Sequence, residues 1–432
     1  MARKKTAKKT AKKTSARKPK KKAAKAPSRR RKEVVRIGFV GVGDQGSYHL
    51  DVALGMKGVE VPALCDVNDA FLYRAKRWVE GSGRPEPRLY TDYKALCGEE
   101  DLDLVVCATS WKYHTPVLLE AMRNGKNAVS EVPIVQTVEE GWALVETFEK
   151  TKKWGTMGFK PVHSALSNMI RLGIFGDIVH CEAGYVHDLR LVKFDPEREP
   201  WRLQHSVDQN GCLYPDHPTC RIMPLMNVNH GDRFDYLVSM SSKAVMLNEY
   251  ARQMFGPGHP YATKKMKQGD YNCTLLRTVN GGMYTLNFDT NTPHPRGFFR
   301  MQGTKGVIFS PSGMESQIYI DGVSPESHRW EPSAPYLKKY EHPVIKGYKP
   351  PRRKTIRGHA GGGRKTPLYW HRLVEALRAG RVSDFDVYDS VTSSVITPLT
   401  EKSVAGGTKP VKFPDFTRGK WKKRRPLIES VS

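Results

Sequence analysis

Three glycines spaced as Gly41-Val-Gly43-Asp44-Gln45-Gly46, with Asp66 twenty residues further on, can do one kind of chemistry together. In a GxGxxG turn the first glycine permits the tight bend and the second lets a pyrophosphate approach the backbone. The third lets the following helix pack on the strand. The phosphates then rest on a helix N-terminus, where free N–H groups and the dipole favour anions. An acid ending the next strand accepts a ribose 2′-hydroxyl and repels a 2′-phosphate. With no arginine in Asp66-Val67-Asn68, the pattern predicts NAD rather than NADP, held by Gly41, Gly43, Asp44, Gln45, Gly46 and Asp66. Cys212 and Cys220 flank His217, but their spacing fits no standard zinc pattern and no second ligand pair lies nearby, so no metal is expected.

These residues need a strand, a turn and a helix in that order. Residues 34–40 read as a buried strand running straight into the glycines, and 47–56 as the helix after them. Strands follow at 59–66, 102–108, 127–132 and 154–159, with helices at 114–124 and 137–152, the latter opened by Glu139 and Glu140 as the dipole prefers. Strands separated by helices predict a doubly wound parallel sheet, a Rossmann domain over 33–160. Ligands collect at the carboxyl ends of such strands, where Thr109 to His114, Glu131 and Lys160 fall. The second half changes texture: 178–187, 273–279, 283–289 and 297–302 read as strands between turn signals such as Asn280-Gly281. Residues 322–357, rich in Pro, Lys and Arg, read as a long excursion, and 369–379 as an amphipathic helix packing back on the body. This predicts an α+β domain with an open, mostly antiparallel sheet over 161–417.

The chain has 432 residues and a formal charge of +27, unevenly placed. Residues 1–32 hold 17 Lys/Arg and no acid, leaving 54 bases against 44 acids for the rest. This arm lacks residues that could bury area against the cost of ordering, so it reads as a disordered basic tail. It would neutralise phosphates in a salt-sensitive way, on nucleic acid or another polyanion without sequence specificity, or serve only to solubilise. Residues 418–432 read as a second basic tail. No run of about 18 apolar residues exists, which excludes a membrane-spanning helix, and no apolar stretch follows the basic start as a signal peptide requires. Seven cysteines with no CxxC pair read as reduced thiols, and the expected compartment is the cytoplasm.

With these elements in place the sequence resembles the glucose–fructose oxidoreductase, inositol dehydrogenase and rhizopine-catabolism (Gfo/Idh/MocA) family. Within it, the resemblance is to the branch called glycoside hydrolase family 109, NAD-dependent α-N-acetylgalactosaminidases. It covers roughly residues 34–422 and rests on Trp111-x-x-His114, Glu131-Val-Pro133, Phe175-Gly-Asp-Ile-Val-His-Cys-Glu182, Tyr185-Val-His-Asp188-Leu-Arg190 and Trp201-Arg202. It continues through Asn210-Gly-Cys-Leu-Tyr214-Pro-Asp-His217, Asn229-His-Gly-Asp232, Gly358-His359-Ala-Gly and Asp386-Val-Tyr388-Asp. The broader family usually carries Glu-Lys-Pro where this chain has Glu131-Val132-Pro133, and that lysine assists hydroxyl deprotonation in sugar dehydrogenases. Three positions depart from the branch. Asp216 stands where it has Thr, Lys160 where an Asn helps hold the nicotinamide, and Arg296 where a Tyr contacts substrate.

The resemblance implies a redox-neutral hydrolysis. Hydride leaves C3 of the sugar for NAD+, the resulting ketone acidifies the C2 proton, and elimination expels the group at C1. Water then adds and the hydride returns. Such chemistry needs acid/base groups near C2 and C3 rather than the paired carboxylates of ordinary glycosidases. Carried over by motif, Tyr185, Tyr214, His217 and His359 are the acid/base candidates. Tyr185, Arg202, Tyr214, His217 and Arg296 are the candidate contacts to a carbohydrate substrate. Trp111, His114, Glu131, Lys160 and Trp201 are implied cofactor contacts, while Asn229 and Asp232 read mainly as turn residues. Two alternatives stay open: a NAD-dependent sugar or cyclitol dehydrogenase, for which Lys160 is the best feature, and a non-catalytic NAD-binding protein tethered to nucleic acid by its arm. The family's open sheet face implies a homo-oligomer.

Overall fold

The computed structural model describes residues 33–158, 164–196, 199, 201–311, 314–346, 348 and 365–427. The basic arm, Lys160 and His359 lie outside the described residues. The first half contains β1 (Val35–Val40), α1 (Asp44–Leu54), β2 (Val59–Cys65), α2 (Asp69–Gly81), β3 (Arg88–Tyr90), α3 (Tyr93–Gly98), β4 (Leu104–Cys107), α4 (His114–Arg123), β5 (Asn127–Ser130), α5 (Val138–Thr151) and β6 (Gly155–Met157). These strands pair in parallel in the order β3-β2-β1-β4-β5-β6. The sheet is covered on both faces, which is why Leu104–Cys107 is buried at every position rather than alternating. Thr137 and Glu140 close a capping box on α5, and the Asn68 side chain caps α2.

The second half contains α6 (Ala165–Arg171), β7 (Ile178–Val186), α7 (Arg190–Phe194), α8 (Trp201–Asp208), α9 (Asp216–Leu225), β8 (Phe234–Ser241), α10 (Met246–Phe255), β9 (Asn272–Thr278), β10 (Met283–Asp289), β11 (Phe299–Gly303), β12 (Gly306–Ser310), β13 (Gln317–Ile320), β14 (Glu331–Pro332), α11 (Ala334–Lys339), α12 (Lys365–Arg378), α13 (Val387–Ser394), α14 (Ile396–Ala405) and β15 (Val411–Lys412). Its nine-stranded sheet runs β14-β13-β12-β11-β7-β10-β9-β8-β15, antiparallel except where β7 and β10 pair in parallel. None of the described helices is long and apolar enough to cross a membrane. All seven cysteines are free thiols, six of them buried.

Within the excursion at 322–357, β14 adds an edge strand, and Asn168 Nδ2 on α6 donates to Tyr340 O just after α11 (2.9 Å). The amphipathic helix expected at 369–379 falls on α12, which packs back on the first sheet together with α13. Trp370 is fully buried against Phe39 of β1, and Ser390 Oγ accepts the Met157 N–H at the edge of β6 (3.0 Å). Residues 418–427, expected as a basic tail, pack on the body instead. Trp421 is buried, Arg418 pairs with Glu149, and Arg424 donates to Asp386 (2.9 Å) and Asp389 (3.2 Å). Those buried acids supply the counter-charge that draws a basic segment onto the body.

Candidate active site

The glycine turn sits where β1 meets α1, and its three glycines have different reasons to be there. Gly41 has φ +82°, and a Cβ on it would lie 2.6 Å from Ala108 O. A Cβ on Gly46 would lie 1.9 Å from Gly41 O. Gly43 differs. Its φ is −66° with ψ −137°, and an added Cβ would only touch the Phe71 ring at 3.5 Å, so no close contact inside the protein demands glycine there. Its missing methyl leaves space on the cleft side, as close approach of a pyrophosphate requires.

Asp66 lies at the carboxyl end of β2, with Oδ2 accepting the Val42 N–H (2.8 Å) and Oδ1 the Asn68 N–H (2.9 Å). A carboxylate has further lone pairs for ribose hydroxyls, so the residues present fit a bound NAD. Arg74 on α2 braces the turn from outside, donating to Val42 O (3.1 Å) and Ser47 Oγ (2.8 Å).

At the end of β5, Glu131 Oε1 accepts from His49 Nε2 (2.7 Å), with Gln45 Nε2 at 3.5 Å. Trp370 Nε1, which can only donate, reaches His49 Nδ1 at 3.4 Å. This fixes the imidazole's proton on Nε2, facing Glu131. His114 also lines the cleft, with its two ring nitrogens against Pro133 O (2.7 Å) and Thr109 O (3.0 Å); burial lowers its pKa against the pull of those carbonyls, and the neutral ring donates to only one of them.

Glycine turn, Asp66 and Glu131 line one cleft of about 1440 Å³ that runs on between the two halves. Tyr185, Arg202, Tyr214, His217, Arg296, Trp111 and Trp201 line the same cleft, so the candidate cofactor and substrate residues within the described chain converge. Tyr185 comes from the end of β7, Tyr214 and His217 from the start of α9, and Trp201 and Arg202 from the start of α8. The rings form one wall. Tyr214 stacks on Trp111 (centroids 5.3 Å apart, 10°), and His217 packs on Tyr185 (5.2 Å, 22°) and Tyr214 (4.8 Å). The Arg202 guanidinium lies over Trp201 (4.5 Å), Tyr214 (5.2 Å) and Trp111 (5.5 Å), with Glu199 as its ion-pair partner. Such cation–π contacts gain strength when water is excluded.

The electrostatics follow from burial. Burial pushes the Tyr214 hydroxyl well above its ordinary 10 while Arg202 pulls it back, and its proton goes to Val132 O (3.3 Å). Burial also raises Tyr185, against the pull of Arg202 and Arg296. Burial works against the Arg202 charge, and the Glu199 carboxylate paired with it works the other way.

Four residues escaped the sequence reading. His49 falls four residues after Gln45 on α1, so both point to Glu131, a signal available in the spacing. Lys193 interrupts the apolar run Leu191-Val192-Lys193-Phe194 and is buried, and a charge inside an apolar stretch is the signal that marks it. Arg74 and His205 carried no such mark.

The second-half match is to the family model described as glycosyl hydrolase 109, C-terminal domain, over residues 162–423, and the first-half match is to the oxidoreductase family with NAD-binding Rossmann fold, over residues 35–159. A glycosyl hydrolase family 109 protein of Shewanella sp. (strain MR-4) is 37% identical, covering 92% of this chain and 88% of its own length. A Shewanella oneidensis protein named alpha-N-acetylgalactosaminidase is 36% identical with the same coverage. Among solved structures, levoglucosan dehydrogenase in complex with NADH superposes with a TM-score of 0.67 at 20% identity, covering 88% of this chain and 99% of that one. At that identity the likeness is one of fold. The chain belongs to glycosyl hydrolase family 109, and its first half is an NAD-binding Rossmann fold of the oxidoreductase family.

Proposed function

We propose that this chain is an NAD-dependent, redox-neutral glycoside hydrolase of the α-N-acetylgalactosaminidase type. The observation that carries this reading is the mutual ring contact of Tyr185, Tyr214 and His217 in the cleft, with an apolar Val132, not a lysine, buried beneath Tyr214. The name of the S. oneidensis relative supports the substrate class.

Bound NAD supplies a hydride acceptor for C3 of the sugar and returns the hydride at the end of the cycle. Tyr185 and Tyr214 enter as neutral hydroxyls, because burial disfavours their ionised forms. Arg202 and Arg296 lower the cost of ionising Tyr185; once its own proton has passed to the water of the cleft, the Tyr185 phenolate accepts the C3 hydroxyl proton and is left as the neutral hydroxyl. His217, packed against both rings, is the imidazole that removes the acidified C2 proton and then protonates C2 as water adds at C1. His359, outside the described residues, remains the second acid/base candidate, and Lys160 a candidate cofactor contact. The sum is glycoside plus water to free sugar plus aglycone, with no net change in NAD. The nine-stranded sheet leaves Leu275 and Met283 exposed on one face, which supports self-association, read by sedimentation.

Nitrophenyl α-N-acetylgalactosaminide and dialysed enzyme, with and without added NAD+, test the reading. Nitrophenol release without accumulating NADH is expected. Absence of release by folded, NAD-bound protein, together with net NADH formation from a free sugar, would replace it with the dehydrogenase reading.

A further inference from the structure

Behind the aromatic wall lies a second, much smaller space of about 20 Å³, room for one water-sized occupant. Trp111, Tyr185, Arg202 and Tyr214 form its near side and line the substrate cleft as well. Lys193, Ser206, Gln268 and Thr290 form its polar far side.

Lys193 is only 3% exposed, yet all three of its ammonium hydrogen bonds go to neutral oxygens: Ser206 Oγ (3.0 Å), Thr290 Oγ1 (2.9 Å) and Asn291 Oδ1. No carboxylate contacts it among the described residues, although a buried charge ordinarily demands a partner. Ser206 Oγ, having accepted from Lys193, donates to Gln268 Oε1 (2.9 Å), with Arg202 O at 3.3 Å as the other acceptor in reach, and this arrangement turns the amide nitrogen away from Ser206. The Gln268 Nε2 group is then left with no acceptor, on a side chain that is 1% exposed. Thr290 Oγ1 accepts from Lys193, so its own hydrogen is still available to donate.

We propose that this chamber is a binding site for one monovalent anion of halide size, chloride being the abundant one, held by Gln268 Nε2 and Thr290 Oγ1 in the field of Lys193 and Arg202. Its lining includes two cations and no carboxylate. A water would bring two hydrogens needing acceptors, and Ser206 Oγ and Thr290 Oγ1, each already receiving one hydrogen from Lys193, keep only one lone pair apiece. A halide needs donors only.

The site is independent of the reaction proposed above, but it bears on the same wall, because an anion there offsets the charge that Arg202 presents to Tyr185 and Tyr214. Burial and the nearby Arg202 lower Lys193 to about 7, against the opposing pull of Asp289, Asp270 and Asp188. His205, also in the lining, is itself held down by burial. A bound anion favours the ammonium, so halide affinity falls as pH rises above neutrality, by up to roughly ten-fold per unit.

The test is a chloride-35 NMR linewidth titration of the full chain at constant ionic strength, with gluconate as the exchanged anion. Saturable broadening is expected in the wild type. It should weaken roughly ten- to hundred-fold in Gln268→Leu, the loss of one hydrogen bond to a charged group, and vanish in Lys193→Met. A wild type with no saturable component, or a Gln268→Leu protein that binds halide as the wild type does, overturns the proposal. If Lys193→Met does not fold, Gln268→Leu decides alone. In bromide-soaked crystals an anomalous peak in the chamber supports the assignment, and a water there instead refutes it.

Discussion

Gly43 and Gly46 stand three residues apart in one turn, and replacing each by alanine should do different things. At Gly46 the new Cβ would lie 1.9 Å from Gly41 O, a backbone atom that cannot move aside, so the turn must shift. Overpacking of this kind costs about 1–3 kcal/mol of folding stability. At Gly43 the Cβ meets only the Phe71 ring, at the ordinary distance of 3.5 Å, and φ is already −66°. Folding stability there should change by no more than about 1 kcal/mol. The methyl would instead stand where the pyrophosphate must approach, and the same overlap of about 1–3 kcal/mol then falls on binding, or roughly 5- to 150-fold in Kd. Urea unfolding of both variants without cofactor, beside calorimetric titration with NAD, separates the two. Gly43→Ala should unfold like the wild type and bind NAD weakly, while Gly46→Ala should lose stability before any cofactor is added. The cradle argument fails if Gly43→Ala binds NAD at wild-type affinity, or if it loses as much stability as Gly46→Ala.

Asp66→Asn keeps an acceptor for the Val42 N–H but removes the charge that repels a 2′-phosphate, so the ratio of NAD to NADP affinity should fall by roughly ten-fold or more in competitive titration. Lys193 has a folded pKa lowered to about 7 against ~10.4 when unfolded, so between those values the unfolded chain binds more protons and stability rises with pH. In chloride-free buffer the wild type should therefore gain up to about 2–3 kcal/mol relative to Lys193→Met from pH 7 to 9, and a pH-independent difference would show that the ammonium is not buried as described. Arg424→Met leaves Asp386 and Asp389 without their shared cation and should cost about 3–5 kcal/mol in urea unfolding, whereas a truly solvated tail would lose nothing.

How far the sequence was readable depends on how locally each feature is encoded. Five of the six parallel strands were legible because each is a mostly apolar run followed by a marked turn, as at Gly41 to Gly46 and Asp66, whereas β3, only Arg88–Tyr90, carries too short a pattern to read. β10 matches its expected span of 283–289 because apolar residues lie between the Asn280-Gly281 turn and Asp289. Helix α9 was hidden by Pro218 and Pro224, which argue against a helix yet sit within Asp216–Leu225. Helix α13 was hidden for another reason. Its sequence Val-Tyr-Asp-Ser-Val-Thr-Ser-Ser shows no division into polar and apolar faces because the helix is buried on every side, with the Ser390, Thr392 and Ser394 hydroxyls bonding to other segments. Tyr185, Tyr214 and His217 of the cleft were found by motif and His49 was readable from its spacing to Gln45, but Lys193 and Gln268 act through partners distant in the chain, which no local spacing encodes.

Helix α13 also bears on how the chain is made. Ser390 caps the exposed edge of β6, and Ser394 accepts the Ile134 N–H (3.1 Å) while donating to Asp216 Oδ1 (2.7 Å), so one helix joins the end of the first sheet to the helix carrying His217. Trp370 of α12 covers Phe39 at the sheet's centre. Domains ordinarily fold in order of synthesis, N-terminal first. Here the nucleotide-binding half leaves the ribosome more than two hundred residues before the segments that finish it, so the nascent chain carries an incomplete sheet with an open strand edge through most of translation. That long interval is when this protein is most exposed to mispairing and most dependent on chaperone cover, and a fragment ending before residue 365 should keep that liability permanently.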